Sequence, residues 1–388
     1  MKRELQRLKA ILTLDYTERV RFITFRFPYL SIILIHIIFW AVAFSLLSLL
    51  LNLFGGGVSR LFEVNQPGYD WFSGITAALI YGLFTGSIYL KLRTTRFNRI
   101  STVKKLFLEG TAYTTAFIIT SGLVMLFWRN HRIQELNQMG VDAARLDYVR
   151  YLTFAIFIYT FSLNFLLSFL MQMRAAFGPG ILLPLYLGKY RKPQIDHRVF
   201  MFMDLHSSTS YAEALGHLKY SELIQDCFRE VNRLVPKYNA QIFQYVGDEV
   251  VLTWQENKLL DYRNCLKFYF HFKKALYEKY DYFVNKYGFV PEFKTGMHKG
   301  VVTVIEVGDI KREIAFHGDT INTAAHIQGV CNKYNRSFLI SESMKDKLND
   351  CRDFRISFLD NVKLKGKNEP LALYSVEGID DPHLLESK

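Results

Sequence analysis

The chain has 388 residues, 50% of them hydrophobic and 15% aromatic, a composition that excludes a disordered protein. Its formal net charge of +12 would suit a nucleic-acid-binding protein, but the excess is confined to one half. From Gln194 onward 26 lysines and arginines are balanced by 27 aspartates and glutamates, whereas the residues before it carry 22 against 9. Because the basic half also holds the long apolar runs, the charge indicates membrane topology and not a nucleic-acid partner.

Four apolar segments of the basic half are long enough to cross a bilayer as helices. Glycine, serine and threonine are frequent in the second and third, as in helices that pack closely within a membrane. Buried core helices of a soluble protein are the alternative, but they would not explain the charged flanks. We therefore predict an all-α transmembrane four-helix region over residues 30–173, after a cytoplasmic segment of residues 1–29. The predicted spans are residues 30–54, 71–90, 110–128 and 151–173.

Lysines and arginines cluster in the loops that the positive-inside rule assigns to the cytoplasm. Seven precede the first span, six lie between the second and third, and four follow the fourth. The loop between the first two spans has only Arg60, offset by Glu63 and Asp70. We expect a multi-pass protein of the cell (inner) membrane with both termini in the cytoplasm. His36, within the first span, is either a sensing residue or a packed side chain.

Residues 174–195 join the last span to the C-terminal half and contain three glycines and three prolines. One continuous helix is therefore not expected through them. They are either a packed coupling segment or an ordinary surface connection. The four cysteines all lie beyond this segment, widely spaced and without a CxxC pair. This spacing fits a reduced cytosolic domain without a cysteine metal site or a disulfide.

The C-terminal half begins with VFMFMDL, residues 199–205, which predicts a buried strand. A helix with a Ser/Thr-rich start follows, and AQIFQYVGDEVVLTW predicts a hairpin that turns at Gly247 and Asp248. A second long helix is expected over residues 259–286. FKTGMHKGVVTVIEV is interpreted as a strand pair, and DTINTAAHIQGVCNKYN as a helix capped by Asp319 or Thr320. VKLKGKNEPLALYSV predicts a closing hairpin, so the order indicates an α+β domain with one sheet.

Two carboxylates stand out in this domain, because Asp204 ends a buried strand and Asp248 lies on a hairpin turn. An acid beside apolar residues is costly unless it is paired or holds a metal. Side by side, the two would hold a pair of Mg²⁺ ions for phosphoryl chemistry. The backbone N–H groups of residues 206–209, at a helix N-terminus, would bind phosphate. For either acid alone, a role as helix cap or turn residue remains the simpler interpretation.

Four motifs occur in the order FMDLHSST, YVGDEVVL, GMHKGVV and HGDTINTAAHIQ. In order and spacing they resemble the catalytic domain of class III nucleotidyl (adenylyl/guanylyl) cyclases of the membrane-anchored bacterial type. The resemblance covers residues 196–378 and leaves a tail of residues 379–388. It implies a ferredoxin-like α+β fold with a βααβ core and a head-to-tail homodimer with active sites at the interface. It also implies two Mg²⁺ (or Mn²⁺) ions and conversion of ATP to cyclic AMP and pyrophosphate.

The resemblance assigns roles residue by residue. The metal-binding aspartates match Asp204 and Asp248, with Leu205 beside them, and the transition-state asparagine matches Asn322. The phosphate-binding lysine matches Lys365, with Lys367 as the alternative. The remaining residues expected to contact the nucleotide are Leu205, His206, Ser207, Ser208, Thr209, Gln244, Gly247 and Ala315.

Two departures from the family pattern bear on activity and base choice. His326 stands where the family has its transition-state arginine, and it lacks the permanent charge and bidentate fork of that residue. Arg312 or Arg336 are candidate substitutes. Gln244 and Ala315 occupy the base-reading positions, where Gln can face adenine, guanine or a pyrimidine and Ala offers no side-chain hydrogen bond. A cyclase-fold membrane sensor with little activity, or a cyclase of another nucleoside triphosphate, is therefore the alternative to an adenylyl cyclase.

Overall fold

The computed structural model describes residues 19, 23–24, 27–62, 71–92, 100–138, 143–178, 187–257, 260–310, 312–348, 353–363 and 369–378. Within these ranges the side chains of residues 52–62, 71–74, 123–138, 143–150 and 176–177 are not described. The chain divides into two compact units, Phe27–Leu182 and Leu183–Lys388, the latter together with Met1–Arg26. The two units are described separately below.

The first unit is made of long helices. Pro28 stands at the first position of α1, where its missing N–H costs nothing, and α4 ends before Gly178, whose φ is +85°. The end of α4 agrees with the expectation that no single helix continues through residues 174–195. The helices are α1 (Pro28–Phe62), α2 (Trp71–Leu92), α3 (Thr102–Gln138) and α4 (Ala143–Phe177).

Three of these helices contain a stretch long and apolar enough to cross a membrane: Pro28–Leu51, Ile75–Leu92 and Tyr151–Ala175. They correspond to the first, second and fourth predicted spans. The third predicted span lies in α3, where no such stretch occurs among the residues whose side chains are described. The predicted span of residues 110–128 extends past residue 122, beyond which the side chains of α3 are not described. Three apolar candidate spans are thus confirmed, and the count of four is not.

Close backbone approach and buried hydrogen bonds hold this unit together. A Cβ at Gly82 of α2 would lie 2.6 Å from the Cα of Ile37 in α1, so only glycine fits there. His36 is fully buried and its Nδ1 lies 3.1 Å from the hydroxyl of Thr85. Tyr81 donates to Asn164 at 3.0 Å, which joins α2 to α4. His36 therefore packs between helices in the way that one of the two interpretations expected.

The second unit is built on one eight-stranded sheet, as the sequence predicted. Its strand order is β2-β3-β1-β4-β6-β8-β7, with β5 also paired to β4. Only β4 and β6 pair in parallel; every other pair in the described sheet is antiparallel. The strands are β1 (Gln194–Leu205), β2 (Gln241–Val246), β3 (Glu249–Gln255), β4 (Phe293–Val307), β5 (Glu313–His317), β6 (Phe338–Ser341), β7 (Phe354–Val362) and β8 (Leu371–Gly378).

Helices cover both faces of this sheet, so the central strand β1 is buried on both sides. Met201 and Met203 point into a core shared with α5, α6 and α7, whereas Phe200 and Phe202 pack with Ala324 of α8 on the opposite face. The apolar run that predicted a buried strand is explained by these two cores. The helices are α5 (Ser208–Leu234, interrupted at Gly216), α6 (Tyr262–Tyr277), α7 (Tyr280–Tyr287), α8 (Asp319–Gly329) and α9 (Glu342–Lys345).

Several predicted elements were wrong in detail. The single helix over residues 259–286 is two helices, because the backbone leaves helical geometry at Lys279. The predicted strand pair in FKTGMHKGVVTVIEV is one strand, β4, since β1 pairs with it continuously from Gln194↔Val304 to Leu205↔Phe293. The N-cap of α8 is Gly318, not Asp319 or Thr320. The hairpin at Gly247 and Asp248 was predicted correctly. A closing hairpin is present as well, but its first strand, β7, ends at Val362, where the predicted segment VKLKGKNEPLALYSV begins.

Candidate active site

Asp204 lies near the C-terminal end of the central strand, with β3 on one side and β4 on the other. Its neighbours across the sheet are Glu249 of β3 and Lys294 of β4. Lys294 Nζ lies 3.2 Å from Asp204 Oδ2, and Gln328 Nε2 of α8 donates to the same oxygen at 3.2 Å. Asp204 is 23% exposed. The carboxylate is therefore held in a fixed place while part of it stays accessible.

Asp248 reaches the same end of the sheet from the turn between β2 and β3. Gly247 has φ +60°, which suits glycine and allows the tight turn. The Oδ2 atom of Asp248 is buried and has no hydrogen-bond partner among the described residues. A buried carboxylate oxygen without a donor is costly, so its retention points to a ligand that the protein alone does not supply.

Negative charge is crowded at this end of the sheet. Burial and the nearby charge of Asp248 raise the pKa of Asp204 above its ordinary value. Burial, together with the charges of Asp204 and Asp248, raises the pKa of Glu249 to about 7. Burial and the charge of Asp248 likewise raise the pKa of Tyr220, on α5, to about 12. All three shifts indicate a surplus of negative charge that a cation would relieve.

The donor set fits a hard divalent cation, because Mg²⁺ and Mn²⁺ prefer carboxylate oxygens. No three His, Cys, Asp or Glu side chains are placed to enclose an ion by themselves in the part of the chain that the structure describes. Mg²⁺ is often held by one or two carboxylates and completed by water and substrate phosphates. Leu205, also predicted at the metal site, directly follows Asp204 and is fully buried.

The predicted phosphate-binding segment begins where β1 ends. The N–H of His206 already donates to the carbonyl of Glu292 at 2.8 Å, so this residue cannot offer its N–H to a phosphate as the sequence suggested. Ser207 caps α5 in the left-handed region with φ +57°, and its hydroxyl lies 2.9 Å from His206 Nδ1. The N–H groups left for an anion are those of Ser207, Ser208 and Thr209 at the start of the helix.

Asn322 and His326 lie one turn apart on α8, as predicted. Asn322 is exposed and His326 is half-buried. Neither makes a hydrogen bond to Asp204 or Asp248 within the described residues of one chain. The candidate substitutes for the missing arginine are engaged elsewhere, because Arg312 pairs with Glu306 and Arg336 with Glu377. Lys365 and Lys367 lie outside the described residues.

The two base-reading positions lie on strands that are not paired with each other. Gln244 is exposed on β2, after a bulge at Phe243, and Ala315 is half-buried on β5. Strands β3, β1 and β4 lie between them in the sheet order. The adjacent residues Phe243 and Phe316 nevertheless have ring centroids 5.0 Å apart, so the two strands approach each other on one face of the sheet.

Lys294, Gln328, Glu249 and Tyr220 belong to this site but were not singled out in the sequence. Gln328 had a readable signal, because the buried positions of α8 are otherwise Thr320, Thr323, Ala324 and Ile327. An amide in such a stripe must have a partner. Lys294 and Glu249 became recognisable only through the strand register that sets them beside Asp204.

Two acidic side chains at one end of a central strand, beside a helix N-terminus, define a site for divalent cations and phosphate groups.

Residues 190–378 match the family described as "Adenylate and Guanylate cyclase catalytic domain". The chain is 31% identical to Adenylate cyclase 2 of Rhizobium meliloti (strain 1021), an alignment that covers 57% of this chain and 61% of that protein. It is 25% identical to Adenylate cyclase of Anabaena cylindrica, over 46% of this chain and 36% of that protein.

Among solved structures, the chain is similar to the adenylyl cyclase CyaB from P. aeruginosa, with 18% identity and a TM-score of 0.43. That alignment covers 48% of this chain and 96% of the other. The C-terminal half of the chain therefore belongs to the class III adenylate and guanylate cyclase family. The chain spans less than two thirds of the length of the curated relatives given above, 61% and 36% respectively.

Proposed function

We propose that this protein is a membrane-anchored adenylate cyclase that converts ATP to cyclic AMP and pyrophosphate. In this reaction the 3′-oxygen forms a bond to the α-phosphorus, the bond from that phosphorus to pyrophosphate breaks, and the hydroxyl loses its proton. The observation that carries the proposal is that Asp204 lies near Asp248, whose Oδ2 atom is buried without a hydrogen-bond partner among the described residues. The 31% identity to a protein named Adenylate cyclase 2 favours ATP as the substrate.

Within the proposal, Asp204 and Asp248 bind two Mg²⁺ (or Mn²⁺) ions, with Leu205 beside them. When bound, such ions lower the pKa of the 3′-hydroxyl and neutralise the triphosphate. The backbone N–H groups of residues 207–209 bind phosphate oxygens, and Lys365, or alternatively Lys367, adds a positive charge. Asn322 orients the α-phosphate, and His326 faces it in place of an arginine. Positioning and charge stabilisation supply most of the catalysis in chemistry of this kind.

A homodimer completes the active site in this proposal. Asn322 is exposed, and neither it nor His326 makes a hydrogen bond to Asp204 or Asp248 within the described residues of one chain, which supports a second chain as the source of these groups. A two-fold arrangement of identical chains would create two equivalent sites. Each site would take Asp204 and Asp248 from one chain, and Asn322, His326 and Lys365 from the other.

The apolar helices anchor the enzyme in the proposal. The stretches in α1, α2 and α4 have the length and hydropathy of bilayer spans in contact with lipid. The distribution of lysine and arginine favours the cell (inner) membrane, with both termini in the cytoplasm. This orientation would expose the catalytic unit to the cytoplasmic pool of nucleotides.

A second candidate is a cyclase-fold membrane sensor with little activity, or a cyclase of another base. His326 favours the first of these, since it lacks the permanent charge and the bidentate fork of the arginine that the family has at this position. Ala315 favours the second, because its side chain cannot form a hydrogen bond to a base. Both candidates keep the fold and the metal-binding carboxylates.

Product analysis separates these candidates. The full-length chain in nanodiscs would be incubated with ATP, GTP, CTP or UTP, each with Mg²⁺ and with Mn²⁺, beside an Asp204→Ala variant. Cyclic AMP from ATP, absent in the variant, is the expected result. A cyclic product from another triphosphate alone would overturn the assignment of the base. No product under any condition, from protein that still binds Mn²⁺, would favour the sensor.

A further inference from the structure

Gln328 is an amide in an almost entirely buried position at the C-terminal end of α8. It is 7% exposed, and its Nε2 donates to Asp204 Oδ2 at 3.2 Å. The cyclase resemblance assigned it no role. Buried amides are rare unless each has a specific partner, so the contact with Asp204 accounts for the presence of Gln328.

The packing of α8 fixes the backbone from which Gln328 reaches Asp204. Two glycines of β4 contact this helix: a Cβ at Gly300 would lie 2.5 Å from Thr320 Oγ1, and one at Gly296 only 2.2 Å from the backbone nitrogen of Gln328. The eight helical steps from Thr320 to Gln328 span about 12 Å. The four strand steps from Gly300 back to Gly296 span about 13 Å. The helix therefore runs antiparallel to β4 in close contact along most of its length.

Both hydrogen bonds that Asp204 makes within the described residues end on one oxygen, Oδ2. Lys294 reaches this oxygen with a flexible four-carbon side chain and carries a positive charge. Gln328 reaches it from a backbone held against Gly296, and its amide is neutral. Only Gln328 can thus orient the carboxylate without neutralising it, and Oδ1 is left to other ligands.

We propose that Gln328 is a positioning residue whose amide, held in place by the close packing of α8 on Gly296, orients Asp204 so that its second oxygen can bind a divalent cation. The inference rests on the metal-binding role proposed for Asp204 and Asp248. It adds a link between the metal site and the helix that carries Asn322 and His326. Under the shared-site proposal, a shift of α8 would displace the metal ligand of one active site and, in the other site, the two side chains that face the substrate.

The test measures Mn²⁺ binding to the full-length chain in nanodiscs without nucleotide, by electron paramagnetic resonance. Gln328→Met keeps the length of the side chain but removes the donor, and we expect the Kd for Mn²⁺ to rise about tenfold, or about 1.4 kcal/mol. Gln328→Asn keeps the amide on a side chain that is one methylene shorter, so the amide no longer reaches Asp204 and the Kd for Mn²⁺ should also rise. Gln225→Met, at an exposed position of α5, serves as the matched control and should leave the Kd unchanged.

Thermal unfolding is measured on the same samples to separate positioning from folding. A Kd for Mn²⁺ that is about tenfold higher in Gln328→Met, with a Tm close to that of the wild type, supports the proposal. Wild-type affinity in both Gln328 variants overturns it, and Gln328→Asn decides if Gln328→Met does not fold. An Asp248→Asn variant that binds Mn²⁺ as tightly as the wild type would overturn the metal assignment itself, and the inference with it. Failure of the role proposed for Gln328 and failure of the metal assignment therefore give different results.

Discussion

Asp204 and Glu249 lie directly opposite each other on the antiparallel strands β1 and β3. Like charges in this arrangement destabilise a sheet, and Asp248 adds a third carboxylate one residue away from Glu249. Lys294, opposite Asp204 on β4, offsets part of this charge. The fold thus contains an unfavourable cluster of negative charges at the end of β1. Such local conflicts in an otherwise consistent structure are typical of functional sites.

Asp248→Asn should stabilise the protein and inactivate it. The substitution removes one charge beside Asp204 and Glu249, so we expect about 1 kcal/mol more unfolding free energy. Cyclase activity should fall to less than about a tenth, because a proposed metal ligand is lost. Thermal unfolding and initial rates measure the two effects. Asp346→Asn, at a site 62% exposed, is the control and should change neither. A variant that is less stable than the wild type would contradict the charge-crowding argument.

Two inactive chains should complement each other if the active site is shared. An Asp204→Ala chain retains Asn322, and an Asn322→Ala chain retains Asp204, so a mixed dimer would contain one intact site. We expect activity to return on mixing, up to about a quarter of the wild-type value when half of the dimers are mixed. Co-expression with two affinity tags isolates the mixed dimer for the rate measurement. Inactive mixed dimers would exclude the shared site.

His326→Arg should raise the rate with Mg²⁺. Asn322 and His326 share one face of α8, and an arginine there would bring a permanent charge and two donors to the α-phosphate. We expect a gain of about tenfold in initial rate at saturating ATP, or about 1.4 kcal/mol of transition-state stabilisation. An unchanged or lower rate would count against this role of the histidine.

Two alanine variants serve as controls for that experiment. Arg312 and Arg336 are paired with Glu306 and Glu377, so Arg312→Ala and Arg336→Ala should change the rate less than about twofold. A severe loss in either one would identify that arginine as the replacement for the missing family residue. His326 would then only fill space.

Acid should destabilise the catalytic unit through Asp226, a buried residue of α5. The hydroxyls of Tyr282 and Tyr287 donate to its Oδ2 at 2.6 and 2.7 Å, and Lys286 Nζ lies 3.1 Å from the same oxygen. Burial alone would raise the pKa of this carboxyl, but these three donors lower it to about 2, against 3.8 in an unfolded chain. The stabilisation is therefore complete above about pH 4 and is lost as the pH falls through about 2.

Asp226→Asn should accordingly lower the unfolding free energy at pH 7 by about 2 kcal/mol and flatten its dependence on pH between 4 and 2. Trp254, buried and the only tryptophan after residue 128, reports unfolding of this unit by fluorescence. Asp281→Asn, at an exposed position of α7, is the control. If the unfolding free energy of Asp226→Asn fell as steeply between pH 4 and pH 2 as that of the wild type, the assignment would be refuted.

The sequence was sufficient where one local signal determined the structure. Burial on both faces of the sheet explains why the apolar run VFMFMDL was recognised as a buried strand, and the Gly-Asp pair located the β2–β3 turn. Asp204, Asp248, Asn322 and His326 were chosen from motifs, and the structure places the two acids at one end of the sheet. The helical face shared by Asn322 and His326 followed from their spacing alone.

Long-range packing explains what the sequence did not predict. FKTGMHKGVVTVIEV was interpreted as a strand pair, whereas its Gly296 and Gly300 admit the backbone and side chains of α8 against one continuous strand. The N–H of His206 was counted as free because its partner, Glu292, is 86 residues away. The contacts of Gln328 and Lys294 with Asp204 likewise depend on tertiary structure that no short window contains.

The two glycines of β4 also affect how a saturation-mutagenesis library of this protein would be interpreted. Positions 296 and 300 tolerate almost no side chain, yet neither carries a reactive group. A screen for lost cyclic nucleotide production alone would rank them with Asp204 and Asp248 as catalytic. Counting surviving protein in each library member, for example by a fluorescent fusion, would separate the two kinds of position: the glycine variants would be depleted from cells, whereas the aspartate variants would accumulate normally.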